Sequence, residues 1–394
     1  MSGRRDRSRT ADDTIERLAA AKEIIVTCGS GGVGKTTTAA AIGAMAATHL
    51  GGKVLVLTVD PARRLANALG LERFGNTETR IPDAAFEAAG VTPRGELWAA
   101  MLDTKQSWDD LIRQHAPDRA TRDAILANPL YQNITGKFIQ SHDYVAMERL
   151  YEIHTAGRYD LIVVDTPPTR NAIDFLDAPE RMADFFSSRL LRWLIAPYRS
   201  RVVNVASKPF YSVADRLLGS QFLSDIAEFF ILFQSMYEGF VERAKAVQRT
   251  IEGPDTSFVV VSTLDSAPAR EADFFMQMLV QRKLHLGALV LNKVLPSYLL
   301  ARDAAESARA IRDDPAALAA SLGDEMGVAD AELLGRVLGE LGENFANYQV
   351  VAKREAEQRA EMGKLPDILA TVPNLEHDVA DLGGLMHMGE HLWR

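Results

Sequence analysis

The sequence predicts an α/β protein with an open, mostly parallel twisted sheet, helices on both faces, and an inserted helical subdomain. Three observations predict it. Short apolar runs of strand length alternate with longer helical segments, a pattern that builds parallel sheets. A Gly-rich stretch joins the first such run to an Ala-rich helix. A later run ends in Asp165, which puts a carboxylate at the sheet edge where open α/β folds hold ligands.

Residues 1–12, with Arg4, Arg5, Arg7 and Arg9, are expected to form a disordered basic leader, a solvated tail in preference to a lipid or partner contact. Residues 13–394 are then expected to be a single domain, although the length also fits two or three smaller ones. A short helix over 13–22 leads into the first strand, 23–28. There Gly29-Ser30-Gly31-Gly32-Val33-Gly34-Lys35-Thr36 fits the phosphate-loop pattern G-x-x-x-x-G-K-T. The glycines let backbone amides close around phosphate oxygens, and the start of the next helix offers unpaired N–H groups and a positive dipole end. Lys35 is suited to neutralise β- and γ-phosphate charge and the Thr36 hydroxyl to ligate Mg²⁺, so ATP and Mg²⁺ are the expected substrate and cofactor.

The helix over 37–49 is rich in small residues that allow close packing on a sheet, and Gly51-Gly52 ends it. Residues 53–59 read as a second strand buried on both faces, and the chain then reaches Asp60-Pro61-Ala62 at the sheet edge. A third strand is expected over 97–102. Helical character follows over 104–156, with a break at 128–132. Residues 159–165 form the clearest later strand, ending in Asp165-Thr166-Pro167-Pro168-Thr169; after a phosphate loop, this is the arrangement that brings a carboxylate to the Mg²⁺ shell.

Residues 172–250 are again helical, and with 104–156 they are expected to form the helical subdomain. Phe222, Ile226, Phe229, Phe233, Met236 and Phe240 recur at helical spacing, and a second apolar cluster covers 185–195. These residues suit either a helix-on-helix core or a groove for an apolar client segment or a membrane partner. Strands are expected over 257–262 and 286–291. The second runs into Asn292, whose amide can both donate to and accept from an adenine edge. Helices fill 298–364, and a last strand over 369–373 ends at Pro373.

Composition excludes several function classes. A net charge of −9 argues against sequence-independent attraction to nucleic acid. The single cysteine, Cys28, precludes an intramolecular disulfide and reads as a small buried hydrophobe. The eight histidines lack metal-site spacing. No apolar run reaches the roughly 18 residues of a membrane span, so a cytoplasmic protein is expected, with peripheral membrane association left open.

The chain resembles the ArsA-like ATPases, the family of arsenite-pump ATPases and of ATPases that target tail-anchored membrane proteins. The resemblance rests on residues 29–37 as phosphate loop, Asp60-Pro61-Ala62 and Asp165-Thr166-Pro167-Pro168-Thr169 as switches, residues 290–296, and Val372-Pro373 with Asp381-Leu382. Residues 157–179 look like an actinobacterial subgroup. The resemblance implies an ATPase that closes as a dimer around nucleotide and moves its helical subdomain with nucleotide state. It implies that Gly29, Ser30, Gly31, Gly32, Val33, Gly34, Lys35, Thr36 and Thr37 hold the phosphates and that Asn292 and Pro373 contact the base. Lys35 and Asp60 would be catalytic, with Asp60 orienting the attacking water; Asp60 and Asp165 would lie in the outer Mg²⁺ shell.

Three departures from the family pattern matter. Ser30 stands where the family carries a lysine that reaches the other subunit's nucleotide. Either the ATPase is slow, or Arg63, Arg64, Arg170 or a paralogous partner supplies that charge, which leaves both a homodimer and a heterodimer open. The cysteines that bind arsenite are absent, and so is the Cys-x-x-Cys pair that staples some members through zinc; neither an arsenite nor a zinc site is expected. A weakly hydrolysing regulatory subunit is the main alternative. A surface-positioning ATPase of the same class is disfavoured, because 386–394 shows no assignable amphipathic membrane helix.

Overall fold

Uninterrupted apolar runs become the central strands because each successive side chain enters one of two covered sheet faces. The computed structural model describes residues 14–59, 63–71, 75–132, 139–167, 176–178, 180–181, 184, 228–233, 236–326 and 330–393. Among them, the strands are β1 (Ile24–Cys28), β2 (Lys53–Thr58), β3 (Thr79–Arg80), β4 (Glu96–Met101), β5 (Leu161–Asp165), β6 (Thr256–Ser262), β7 (Leu286–Val294) and β8 (Ile368–Pro373). They form one 8-stranded sheet in the order β3-β4-β2-β5-β1-β6-β7-β8. Every pairing is parallel except that of β3 with β4. The expected fold class is therefore the observed one. The sequence reading passed over β3, a two-residue edge strand too short to show periodicity.

Among the described residues the helices include α1 (Ile15–Ala21), α2 (Lys35–His49), α3 (Arg63–Ala68), α4 (Asp83–Ala88), α5 (Thr104–His115), α6 (Arg119–Ala127), α7 (Ile139–Thr155), α8 (Tyr237–Glu252), α9 (Ser266–Gln281), α10 (Arg302–Asp313), α11 (Pro315–Met326), α12 (Ala331–Met362) and α13 (Leu382–Trp393). Ile25, Val54, Val56, Val163 and Val261 point to one sheet face, where α1, α2 and α13 cover them. Ile24, Val26, Leu55, Ile162 and Val260 point to the other, under α7, α8 and α9. Burial on both faces explains why these strands carry no polar alternation.

The C-terminal helix α13 lies against α2, with Leu385, Met388, Leu392 and Trp393 buried. The Trp393 ring sits 6.0 Å from that of His49. The apolar side chains of α13 belong to the core. No described helix is long and apolar enough to cross a membrane.

A third apolar cluster joins Trp108 and Ile112 of α5, Ile125 of α6, Tyr144 of α7, and Phe229, Phe233, Met236 and Phe240. Phe233 and Phe240 stack with centroids 4.9 Å apart, and Phe229 lies 5.2 Å from Phe233. These four members of the 222–240 stripe are thus core side chains. Phe222, Ile226 and the cluster over 185–195 lie outside the described residues. Within this cluster Tyr144 donates to the buried Glu148 carboxylate, which also pairs with Arg243 from α8. Burial pushes the Glu148 carboxyl upward, while Tyr144 and Arg243 oppose that shift.

His115, at the end of α5, feels the same environment. Burial first, and Arg243 second, lower its pKa from 6.5 to about 4. The unfolded imidazole therefore takes up a proton that the folded one refuses, so stability is full above pH 6.5 and falls as the pH drops toward 4. The thermal midpoint should decline across that window and decline less in His115→Gln; an identical decline in the variant would contradict the assignment.

Candidate functional site

The phosphate loop leaves the sheet where the strand order places β1 between β5 and β6, so the chain turns out of the middle of the sheet. Two of its glycines are dictated by their neighbours. Gly29 has φ +155°, and a Cβ there would lie 2.0 Å from the Val261 carbonyl oxygen on β6. Gly34 has φ +98°, and a Cβ there would lie 2.3 Å from Asn292 Nδ2. A side chain at position 29 would run into the β6 backbone and one at position 34 would displace the Asn292 amide, and positive φ is strained for L residues. Gly31 and Gly32 are exposed, whereas Val33 is buried and pins the loop from beneath. The helix that follows has no acidic residue in its first turn, so the positive end of its dipole is not neutralised from within.

Polar contacts close the loop on both sides. Lys35 is buried, and its Nζ donates to the Ser30 carbonyl at 2.9 Å. Ser30 is also buried, and its Oγ donates to Glu271 Oε2 on α9 at 2.7 Å. The position that the family resemblance assigns to a cation therefore holds a hydroxyl bonded to a carboxylate of the same chain. Thr37 follows on the first turn of α2, half-buried.

Asp165 closes the far side. It is fully buried, paired in register with Thr27 of β1 and Thr58 of β2. Its Oδ2 accepts from Thr36 Oγ1 at 2.6 Å and from Thr58 Oγ1 at 2.9 Å. The end of β5 is thereby tied both to β2 and to the first turn of α2. Hydroxyl and carboxylate oxygens are hard donors, the set that suits Mg²⁺ in preference to soft metals. Among the described residues no group of three or more His, Cys, Asp or Glu is arranged to hold a metal.

Asn292 is buried on β7, with Nδ2 donating to the Val33 carbonyl at 2.8 Å and Oδ1 accepting from the Lys293 amide at 2.9 Å. It braces the phosphate loop, a contact the sequence reading did not foresee. Pro373 ends β8 beside Val294 of β7, so Asn292 and Pro373 come from adjacent strands. Asp60, Pro61, Ala62, Pro168, Thr169 and Arg170 lie outside the described residues, as do the side chains of Arg63 and Arg64. The structure thus brings together the loop, Thr36, Asp165 and Asn292, and adds two residues that sequence reasoning missed. Thr58 had a faint signal, a hydroxyl ending a strand just before Asp60. Glu271 had none, because its partner is 241 residues away.

A family model for anion-transporting ATPases, ArsA_ATPase, matches residues 22–313. The chain is 24% identical over 290 residues to the putative arsenical pump-driving ATPase 1 of Aquifex aeolicus, covering 71% of this chain and 65% of that protein. It is 29% identical over 212 residues to an ATPase ASNA1 homolog of Leishmania infantum, covering 47% and 51%. To ATPase GET3 of Komagataella phaffii it is 24% identical over 278 residues, covering 68% and 71%. The chain therefore spans 65% and 51% of the lengths of the first two relatives.

Cys28 ends β1 directly beneath this site, 1% exposed. Burial drives its thiol far above the ordinary range, and the nearby Lys35 charge offsets only part of that shift. The native thiol should resist alkylation up to at least pH 9 and react once the protein is denatured. Rapid stoichiometric labelling of the native protein at neutral pH would contradict this placement.

Proposed function

The chain belongs to the anion-transporting ATPase family, and from that membership we propose that it binds Mg-ATP at residues 29–37 and hydrolyses it to ADP and phosphate. The observation that carries this reading is the hydrogen bond between Thr36 and Asp165 at 2.6 Å, which joins a phosphate-loop hydroxyl to a buried strand-end carboxylate. A glycine-rich turn without nucleotide chemistry has no need of that pairing.

Each residue then has a role of its own. Backbone amides from Gly29 to Thr37, including Ser30 and Val33, donate to phosphate oxygens, and the α2 dipole favours the anion. Lys35 neutralises charge on the β- and γ-phosphates. Thr36 would hold Mg²⁺ directly, with Asp60 and Asp165 in its outer shell. Bound Mg²⁺ supplies further charge neutralisation at the β- and γ-phosphoryl oxygens. Asp60 orients a water whose oxygen attacks the γ-phosphorus in line, as the bond to the β–γ bridging oxygen breaks. Asn292 and Pro373 contact the base from adjacent strands, Asn292 also steadying the loop through Val33. Catalysis of this kind is positioning and electrostatic stabilisation.

We further propose that the working form is a nucleotide-closed dimer whose helical subdomain, 104–156 with 172–250, moves with nucleotide state and engages an apolar client segment or a membrane partner in the cytoplasm. The dimer is formed with a second copy or with a paralogue that supplies the lysine absent at Ser30. A second reading, a weakly hydrolysing regulatory subunit, is favoured by one observation: Ser30 is bonded to Glu271, which leaves no cation at that position.

Lys35→Ala and Asp60→Asn should each lower steady-state phosphate release by about 10²-fold or more, the scale of removing one preorganised charge or donor. Turnover equal to wild type in either variant would overturn the proposal. Hydrolysis near background in the wild type, restored by a lysine-bearing paralogue, would select the regulatory reading.

A further inference from the structure

Ser30 is held by side-chain groups at both its polar ends. Its carbonyl accepts from Lys35 Nζ at 2.9 Å and its hydroxyl donates to Glu271 Oε2 at 2.7 Å. The loop around it needs such anchoring, because Gly31 and Gly32 are exposed and a Cβ at either would meet nothing within 4 Å. The platform that carries Glu271 is itself fixed. Ala269, Ala272, Phe275, Met276 and Leu279 bury one side of α9 in the sheet-face core. Past its C-terminal end, Arg282 pairs with Asp177 through both carboxylate oxygens.

We propose that Glu271 is a positioning residue of the phosphate loop: acting through the Ser30 hydroxyl, its carboxylate holds residues 29–34 in the conformation that receives an anion. The inference rests on the nucleotide-binding reading above for its consequence, though not for its geometry. A hydroxyl donating to a carboxylate is a charge-assisted bond, roughly twice as strong as a neutral one. The same negative charge repels a polyphosphate seated in the loop, so Glu271 acts in two opposed ways. It orders the loop, and it opposes the ligand that the loop receives. Gln separates the two effects, because its amide oxygen still accepts from Ser30 while its charge is gone. Ala removes both.

The test compares Glu271→Ala, Glu271→Gln, Ser30→Ala and the Ser30→Ala/Glu271→Ala double variant in the full chain. Amide hydrogen exchange of residues 29–36 is measured without nucleotide, alongside the dissociation constant for Mg-ADP. Glu271→Ala and Ser30→Ala should each speed loop exchange several-fold; Ser30→Ala should weaken Mg-ADP roughly tenfold, the scale of one charge-assisted hydrogen bond, and Glu271→Ala by less, because it also removes the repulsion. The double variant should be no worse than either single one. Glu271→Gln should keep wild-type exchange and bind Mg-ADP as tightly as wild type or more so. Unchanged loop exchange in Glu271→Ala, or single-variant effects that add in the double, would overturn the proposal. A wild-type chain that binds no nucleotide, yet whose loop exchange follows this pattern, would remove the ATP reading and leave the positioning role standing. If Glu271→Ala does not fold, Glu271→Gln and Ser30→Ala still decide the matter: equal exchange in those two overturns it.

Discussion

The hydrogen bond from Thr36 to Asp165 joins residues 129 apart in sequence, and the rest of the site depends on it. It forms only because β5 inserts between β1 and β2, which sets Asp165 level with Thr27 and Thr58. The carboxylate is fully buried. An ionised group in that position is costly unless it is paired, and two hydroxyl donors on one oxygen supply the pairing. The same contacts orient Thr36 at the start of α2. Burial, register and loop geometry thus converge on one oxygen.

On the opposite side, the loop is closed by contacts from β6, β7 and α9. The β6 backbone excludes any side chain at position 29, Asn292 braces the Val33 carbonyl, and Glu271 engages Ser30. The loop lies between a carboxylate that favours a cation and a carboxylate that bonds to a loop hydroxyl. Lys35, buried and bonded to the loop's own backbone, lies between these influences. At the position where the family resemblance implies a cation, this chain carries an internal hydrogen bond, and its electrostatics differ accordingly.

Much of the fold was legible because a strand covered on both faces must be apolar at every position; β1, β2, β5, β6 and β7 announce themselves in that way. Strand order was not legible, since nothing local in Leu161–Asp165 says that it will lie between Ile24–Cys28 and Lys53–Thr58. β3 escaped because two residues carry no period. The helix Leu382–Trp393 was not assigned from the sequence, because its apolar side chains find their place only by packing on α2. Within the site, Lys35, Thr36 and Asp165 were legible from motif and strand context. Thr58 and Glu271 were not, because each is defined by a long-range contact. The aromatic stripe through Phe233 and Phe240 suited groove or core alike, and burial assigns these side chains to the core.

The central claim is that a loop hydroxyl and a buried strand-end carboxylate together make a Mg²⁺-dependent nucleotide site. Calorimetric titration of ATP into wild type and Asp165→Asn, each with Mg²⁺ and with a chelator, tests it most directly. The account predicts one ATP per chain in wild type, bound more tightly with Mg²⁺, and loss of most of that Mg²⁺ dependence in the variant. Equal affinity with and without Mg²⁺ in the wild type, or a variant indistinguishable from it, would contradict the account.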